Sequence, residues 1–193
     1  MVEKAQEDER MTVDAFLEWD DGTDTRYELI DGRVVAMNPP LAPHARLLSQ
    51  VVAALVARMP PGCGVYTGGG TVRPLDNWNY RIPDVTVSCR TSRQHWVEEP
   101  RLVCEVLSPS TARADLTSKL DFYRSLQSIE LILVLYVAKR QATLWRRDGE
   151  QWVVRDFIGS AILDLPVTTR PIPLDEFYAP LSFPEDEASA DPA

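Results

Sequence analysis

Leu102-Val103-Cys104-Glu105-Val106-Leu107-Ser108-Pro109-Ser110-Thr111 is the stretch that decides how this chain is read. Its first six residues are apolar apart from Glu105, and so short a run predicts a buried strand. Ser108-Pro109-Ser110-Thr111 then supplies a capping residue and a first-turn proline, which predicts a helix near 111–126. Strand passing directly into helix is the signature of an α/β unit. Glu105 is the anomaly, because a carboxylate amid Val103, Cys104, Val106 and Leu107 is costly to bury without a partner. Alternation places Val103, Glu105 and Leu107 on one face of the strand.

Working outward, Pro83-Asp84 stands at the mouth of a second candidate strand, Val85-Thr86-Val87-Ser88-Cys89. A neighbouring strand would bring Asp84 to Glu105, and two carboxylates together repel unless a cation lies between them. Hard oxygen ligands of this kind suit Mg²⁺ or Mn²⁺, with water and a substrate phosphate completing the shell. Lys119 lies in the helix that follows, on a face with Asp115, Phe122 and Leu126. An ammonium beside a metal site orients the attacking water and offsets charge on a phosphorane-like transition state. Each residue also has a purely structural reading. Glu105 would pair with a buried arginine, Asp84 would cap a turn after Pro83, and Lys119 would form an i,i+4 pair with Asp115. Taken together and in this order, the three favour the metal site.

The rest of the chain supports a mixed α/β domain with one central sheet. Thr12 caps a short helix through about Trp19, with Val13, Phe16 and Leu17 on its apolar side. Tyr27–Ile30, Asp31-Gly32 and Arg33–Met37 read as a hairpin, since Asp-Gly supplies the positive φ angles of a two-residue turn. Pro39-Pro40-Leu41-Ala42-Pro43 breaks the chain before a helix near 44–59. Strands are expected within 62–75 and at 131–137, 142–146 and 151–157, with a last helical turn after Pro173.

The chain has 193 residues and a net charge of −9, enough length for one domain with a sizeable core. Residues 1–10 contribute −2 and residues 184–193 contribute −4, so only −3 falls on the remainder. Both ends read as disordered tails flanking a domain over 11–183. An acidic chain is no nucleic-acid coat protein. DNA contact would need a local basic surface, for which Arg46, Arg58, Arg73, Arg81, Arg90, Arg93, Arg113, Lys119 and Arg124 are candidates. No apolar run approaches the roughly 20 residues that span a bilayer, and the N-terminus has no apolar leader. Cys63, Cys89 and Cys104 are odd in number, with no CxxC spacing, and are expected as reduced thiols in a cytoplasmic protein. Gly68-Gly69-Gly70 lacks the Lys-Ser/Thr of a phosphate loop. No Ser-His-Asp arrangement is supported by two histidines without a nucleophile-elbow sequence. His95, in a polar stretch, reads as a surface residue.

These residues resemble the Uma-two family of restriction-endonuclease-like proteins, within the PD-(D/E)xK nuclease superfamily. The matching stretches are Tyr27-Glu28-Leu29-Ile30-Asp31-Gly32, Pro39-Pro40 with His44, Pro83-Asp84-Val85, Glu105 through Thr111, and Asp115-Leu116 with Lys119 and Tyr123. The resemblance covers roughly residues 11–180. It implies a restriction-endonuclease-like fold, a mixed central sheet flanked by helices, with Asp84 and Glu105 as metal ligands. Leu107 stands where the superfamily lysine belongs, and Lys119 on the following helix takes that place. Glu28 matches a family acid and is expected either near the metal or its waters, or as a solvated hairpin residue. His44 matches a family histidine, as a general base, a phosphate contact or a structural helix-end residue. Glu130-Leu131-Ile132-Leu133-Val134-Leu135-Tyr136 departs from the family, which carries an aromatic pair and an aspartate there, the latter at Leu135. The implied activity is Mg²⁺- or Mn²⁺-dependent hydrolysis of phosphodiesters in DNA by a homodimer, since two-fold symmetry suits cutting both strands. The rivals are an inactive binding or regulatory module that kept the fold and a phosphodiesterase of small molecules.

Overall fold

The computed structural model describes residues 10–72, 76–108, 113–179, 181 and 183. Residues 1–9 of the expected N-terminal tail, the expected C-terminal tail at 184–193 and the Pro109-Ser110-Thr111 helix start lie outside them.

The first helix, α1 (Val13–Glu18), is capped as its sequence predicts, with Thr12 Oγ accepting from the Ala15 N–H at 3.2 Å. Strands β1 (Tyr27–Ile30) and β2 (Arg33–Ala36) form the expected hairpin, and Asp31 and Gly32 both take positive φ, 50° and 81°. Helix α2 spans Ala42–Val56 and begins earlier than expected. Pro43 sits in its first turn, where the missing N–H would have had no intrahelical partner.

Five strands and a helix follow: β3 (Gly64–Tyr66), β4 (Thr71–Val72), β5 (Tyr80–Arg81), β6 (Val85–Ser88), β7 (Pro100–Leu107) and α3 (Arg113–Ser125). Then come β8 (Leu131–Tyr136), β9 (Gln141–Asp148), β10 (Gln151–Ile158), β11 (Ile162–Leu163), β12 (Ile172–Pro173) and α4 (Leu174–Tyr178). Six strands form the central sheet in the order β10-β9-β8-β7-β6-β3. This is the expected mixed central sheet, and two smaller sheets accompany it. A separate four-stranded sheet, β2-β1-β5-β4, packs α1, and β11 and β12 form a ribbon. Strands β4 and β5 have two residues each, too few to show a period of two.

Strands β7 and β8 pair in parallel, whereas the other pairs of the central sheet are antiparallel. Parallel neighbours need a crossover, and α3 provides it. The sheet is buried on both faces. Cys104, Val106, Leu133 and Leu135 pack with α2 and α4, while Val103, Ile132, Val134 and Trp145 pack with Phe122 and Tyr123 of α3 and with Leu126 just past its end. Burial of this kind contributes about 1.5–3 kcal/mol per large side chain. Among the described residues no helix is long and apolar enough to cross a membrane.

The expectation of three reduced thiols is corrected. Cys63 and Cys89 form a disulfide, and Cys104 is free and buried. The cause is strand pairing: β3 and β6 run antiparallel with Gly64 opposite Ser88, so the residues one step outward, 63 and 89, face each other. Their separation of 26 residues hides this in the sequence.

Candidate active site

Antiparallel pairing of β6 with β7 sets Val85 opposite Cys104, so one step further Asp84 comes opposite Glu105. Asp84 Oδ2 accepts the Val106 N–H at 2.8 Å, which ties the mouth of β6 to β7. Asp84 therefore serves as a strand-end acceptor to β7 and does not cap its own turn.

Glu105 is 3 % exposed and points to the α3 face. Lys119 Nζ donates to its Oε2 at 3.1 Å, and the Tyr123 hydroxyl to its Oε1 at 2.5 Å. Lys119 and Tyr123 are four residues apart, one turn of α3, which is why one helix face reaches both oxygens. The buried-arginine alternative for Glu105 fails, because its cation is Lys119. Burial outweighs the ammonium and pushes the Glu105 carboxyl up from 4.5 to about 7, and the Asp84 carboxylate adds to the rise. The Tyr123 phenol is raised well above its ordinary value by burial, and then by Glu105 and Glu28. The pair of Lys119 with Asp115 cannot be described, because the Asp115 side chain lies outside the described set.

His44, in the first turns of α2, places Nε2 3.3 Å from Asp84 Oδ2. Its hydrogen bond with Asp84 raises its pKa above 6.5 against the opposing pull of burial. Nδ1 is buried with no hydrogen-bond partner among the described residues.

Glu28 is buried, which removes the solvated-hairpin alternative. Its Oε1 accepts the Ile82 N–H at 2.8 Å, and its Oε2 lies 3.7 Å from Arg81 Nη1. The pairing of β1 with β5 brings this about. Arg81, a candidate for the basic surface on sequence, is instead 2 % exposed and donates from Nη2 to Ser118 Oγ on α3 at 2.8 Å. Sequence reasoning missed Arg81 and the role of Tyr123. Two signals were there to find: Arg81 lies three residues before Asp84, and Tyr123 lies one turn beyond Lys119.

Leu135 is fully buried in the core shared with α2 and α4, on the face away from Glu105. Of the candidate basic residues, Arg73 and the Arg113 side chain lie outside the described residues, and most of the others are engaged in ion pairs. Arg58 holds Glu176 through two contacts of 2.7 and 2.6 Å, Arg90 holds Glu99 at 2.8 Å, and Arg124 lies 3.6 Å from Asp121. Arg46 and Arg93 are exposed, and so is His95.

A six-stranded mixed sheet flanked by helices, with a carboxylate at the mouth of one strand and a second within its neighbour, defines a nuclease-like fold of the restriction-endonuclease class. The chain belongs to the Uma2 family, described as "Putative restriction endonuclease", which it matches over residues 13–172. An uncharacterized protein from Synechocystis is 24% identical over 180 residues, covering 90% of this chain and 94% of the relative. A crystal structure from Anabaena variabilis, described as a putative nuclease of the DUF820 family, superposes with a TM-score of 0.72 at 16% identity. It is matched over 88% of this chain and 98% of its own.

Proposed function

We propose that the protein is a metal-dependent endonuclease that hydrolyses phosphodiester bonds in DNA. The observation that carries this reading is the convergence of Asp84 and Glu105 from paired strands, with the Lys119 ammonium 3.1 Å from Glu105. The donor set fits Mg²⁺ or Mn²⁺. Asp84 raises the Glu105 carboxyl, so the two acids are close enough to repel, and a divalent ion relieves that repulsion. No third carboxylate, histidine or cysteine completes a metal cluster among the described residues. An Mg²⁺ or Mn²⁺ ion held by two carboxylates would complete its shell with waters and a substrate phosphate.

Asp84, Glu105 and the Val106 carbonyl are the groups that would hold the ion. When bound, it would supply positive charge to the phosphate and a lowered pKa for the attacking water. The protein's own residues do the positioning. Lys119 steadies Glu105, stands ready to orient water and offsets developing negative charge. Tyr123 fixes the other Glu105 oxygen, and His44 fixes Asp84. A homodimer would set two such sites on opposite strands of a duplex.

The paired arginines and the net charge of −9 favour one alternative substrate, a small phosphodiester. The test is a panel of plasmid, single-stranded DNA, RNA and bis-p-nitrophenyl phosphate, with Mg²⁺ or Mn²⁺, run beside Asp84→Asn. Cleavage of DNA by the wild type and its loss in the variant is the expected result. Turnover of the small diester alone would shift the assignment to that substrate. Inertness on the whole panel would leave a binding module.

A further inference from the structure

Arg81 is a buried cation with more donors than partners. Nη2 reaches Ser118 Oγ, whereas Nε and Nη1 make no hydrogen bond among the described residues. Glu28 offsets its charge from 3.7 Å without completing a hydrogen bond, and the Phe122 ring centroid lies 5.8 Å from the guanidinium carbon. A buried pair left partly unsatisfied is weak as a source of stability, and well-packed apolar groups would often serve better. Its location suggests another task. Arg81 and Ile82 lead straight into Pro83-Asp84, and Ser118 directly precedes Lys119 on α3. Glu28 holds Arg81 by charge and the Ile82 N–H by a hydrogen bond. One cluster therefore links the approach to Asp84 with the helix that carries Lys119.

We propose that Arg81, braced by Glu28, is a positioning residue: its bond to Ser118 fixes the rotation of α3 and so seats Lys119 on Glu105. A helix is free to roll about its axis until two points on it are fixed. The Tyr123–Glu105 hydrogen bond fixes one point, and the Arg81–Ser118 bond fixes a second just over a turn earlier. The planar guanidinium suits the task, because it reaches a carboxylate and a hydroxyl at once, as a single ammonium cannot. The proposal concerns the same site as the nuclease reading, but its test needs neither cleavage nor metal.

The chain contains three lysines: Lys4, Lys119 and Lys139. Acetylation by an amine-reactive ester, followed by peptide mass spectrometry, therefore reports Lys119 directly, with exposed Lys139 as the internal reference. Native protein is compared with Ser118→Ala, Ser118→Thr and Arg81→Lys. The Lys119 rate relative to Lys139 should rise about fivefold in Ser118→Ala and Arg81→Lys, the scale of one ordinary net hydrogen bond. Ser118→Thr keeps the hydroxyl and should stay at the wild-type ratio. Arg81→Lys risks misfolding, but Ser118 is exposed on the helix, so its variants keep the test open. An unchanged Lys119 ratio in Ser118→Ala overturns the proposal, whatever happens to the urea midpoint. A rise in Ser118→Thr equal to that in Ser118→Ala overturns it as well.

Discussion

Lys119 Nζ lies 3.1 Å from Glu105 Oε2, so the helix-borne ammonium is the partner of the one carboxylate buried within β7. The pairing is incomplete compensation. Burial still dominates, and the Glu105 carboxyl is pushed up to about 7.

Glu105→Gln tests that balance. A carboxyl raised in the folded state takes up a proton on folding, so the wild type loses stability as pH rises from about 4.5 to about 7. The neutral amide has no such loss. In EDTA at pH 8 the variant should be more stable than wild type by about 1–3 kcal/mol, and the gap should close near pH 4.5. Urea unfolding at both pH values checks this. A variant less stable at pH 8 would show that Lys119 outweighs burial.

His44 should behave in a complementary way. Its raised pKa means that its stabilising contact with Asp84 is fully present below pH 6.5 and is lost as pH rises through the folded value. His44→Gln should therefore cost about 0.5–1 kcal/mol at pH 5.5 and nothing at pH 9. In Asp84→Asn, the ring-proton NMR titration of His44 should move back toward 6.5, because the Asp84 hydrogen bond is the largest cause of the shift.

The disulfide sets a third expectation. Alkylation of the unfolded, unreduced protein should label Cys104 alone, and reduction should free Cys63 and Cys89. Opening a loop of 26 residues should lower stability by about 2–4 kcal/mol, read from urea midpoints with and without reductant. Labelling of all three cysteines before reduction would refute the bond.

The C-terminal boundary of the domain is the fourth. Phe183 is 4 % exposed and meets the Tyr178 ring at a centroid distance of 5.8 Å, with the Arg140 guanidinium 5.0 Å from its own ring. Phe183→Ala should cost about 3 kcal/mol. Removing residues 1–9 and 184–193, which offer little apolar surface, should leave the melting temperature nearly unchanged. Equal losses from both changes would extend the folded unit into the tails.

The sequence by itself determined the features that arise from local sterics and periodicity. Thr12 caps α1, Asp31-Gly32 turns the first hairpin, and Leu102–Leu107 forms a buried strand with a carboxylate too costly to leave alone. Each follows from residues a few positions apart, so no knowledge of the partner element was needed. Tertiary structure alone decided which distant groups meet. It paired Cys63 with Cys89, drew Arg81 inward to Glu28 and Ser118, gave Glu105 both Lys119 and Tyr123, and turned Leu135 to the face opposite Glu105. The physical reason is that these contacts depend on strand order and register. Both are set by burying two apolar faces of one sheet at once, and no short window of sequence records that arrangement.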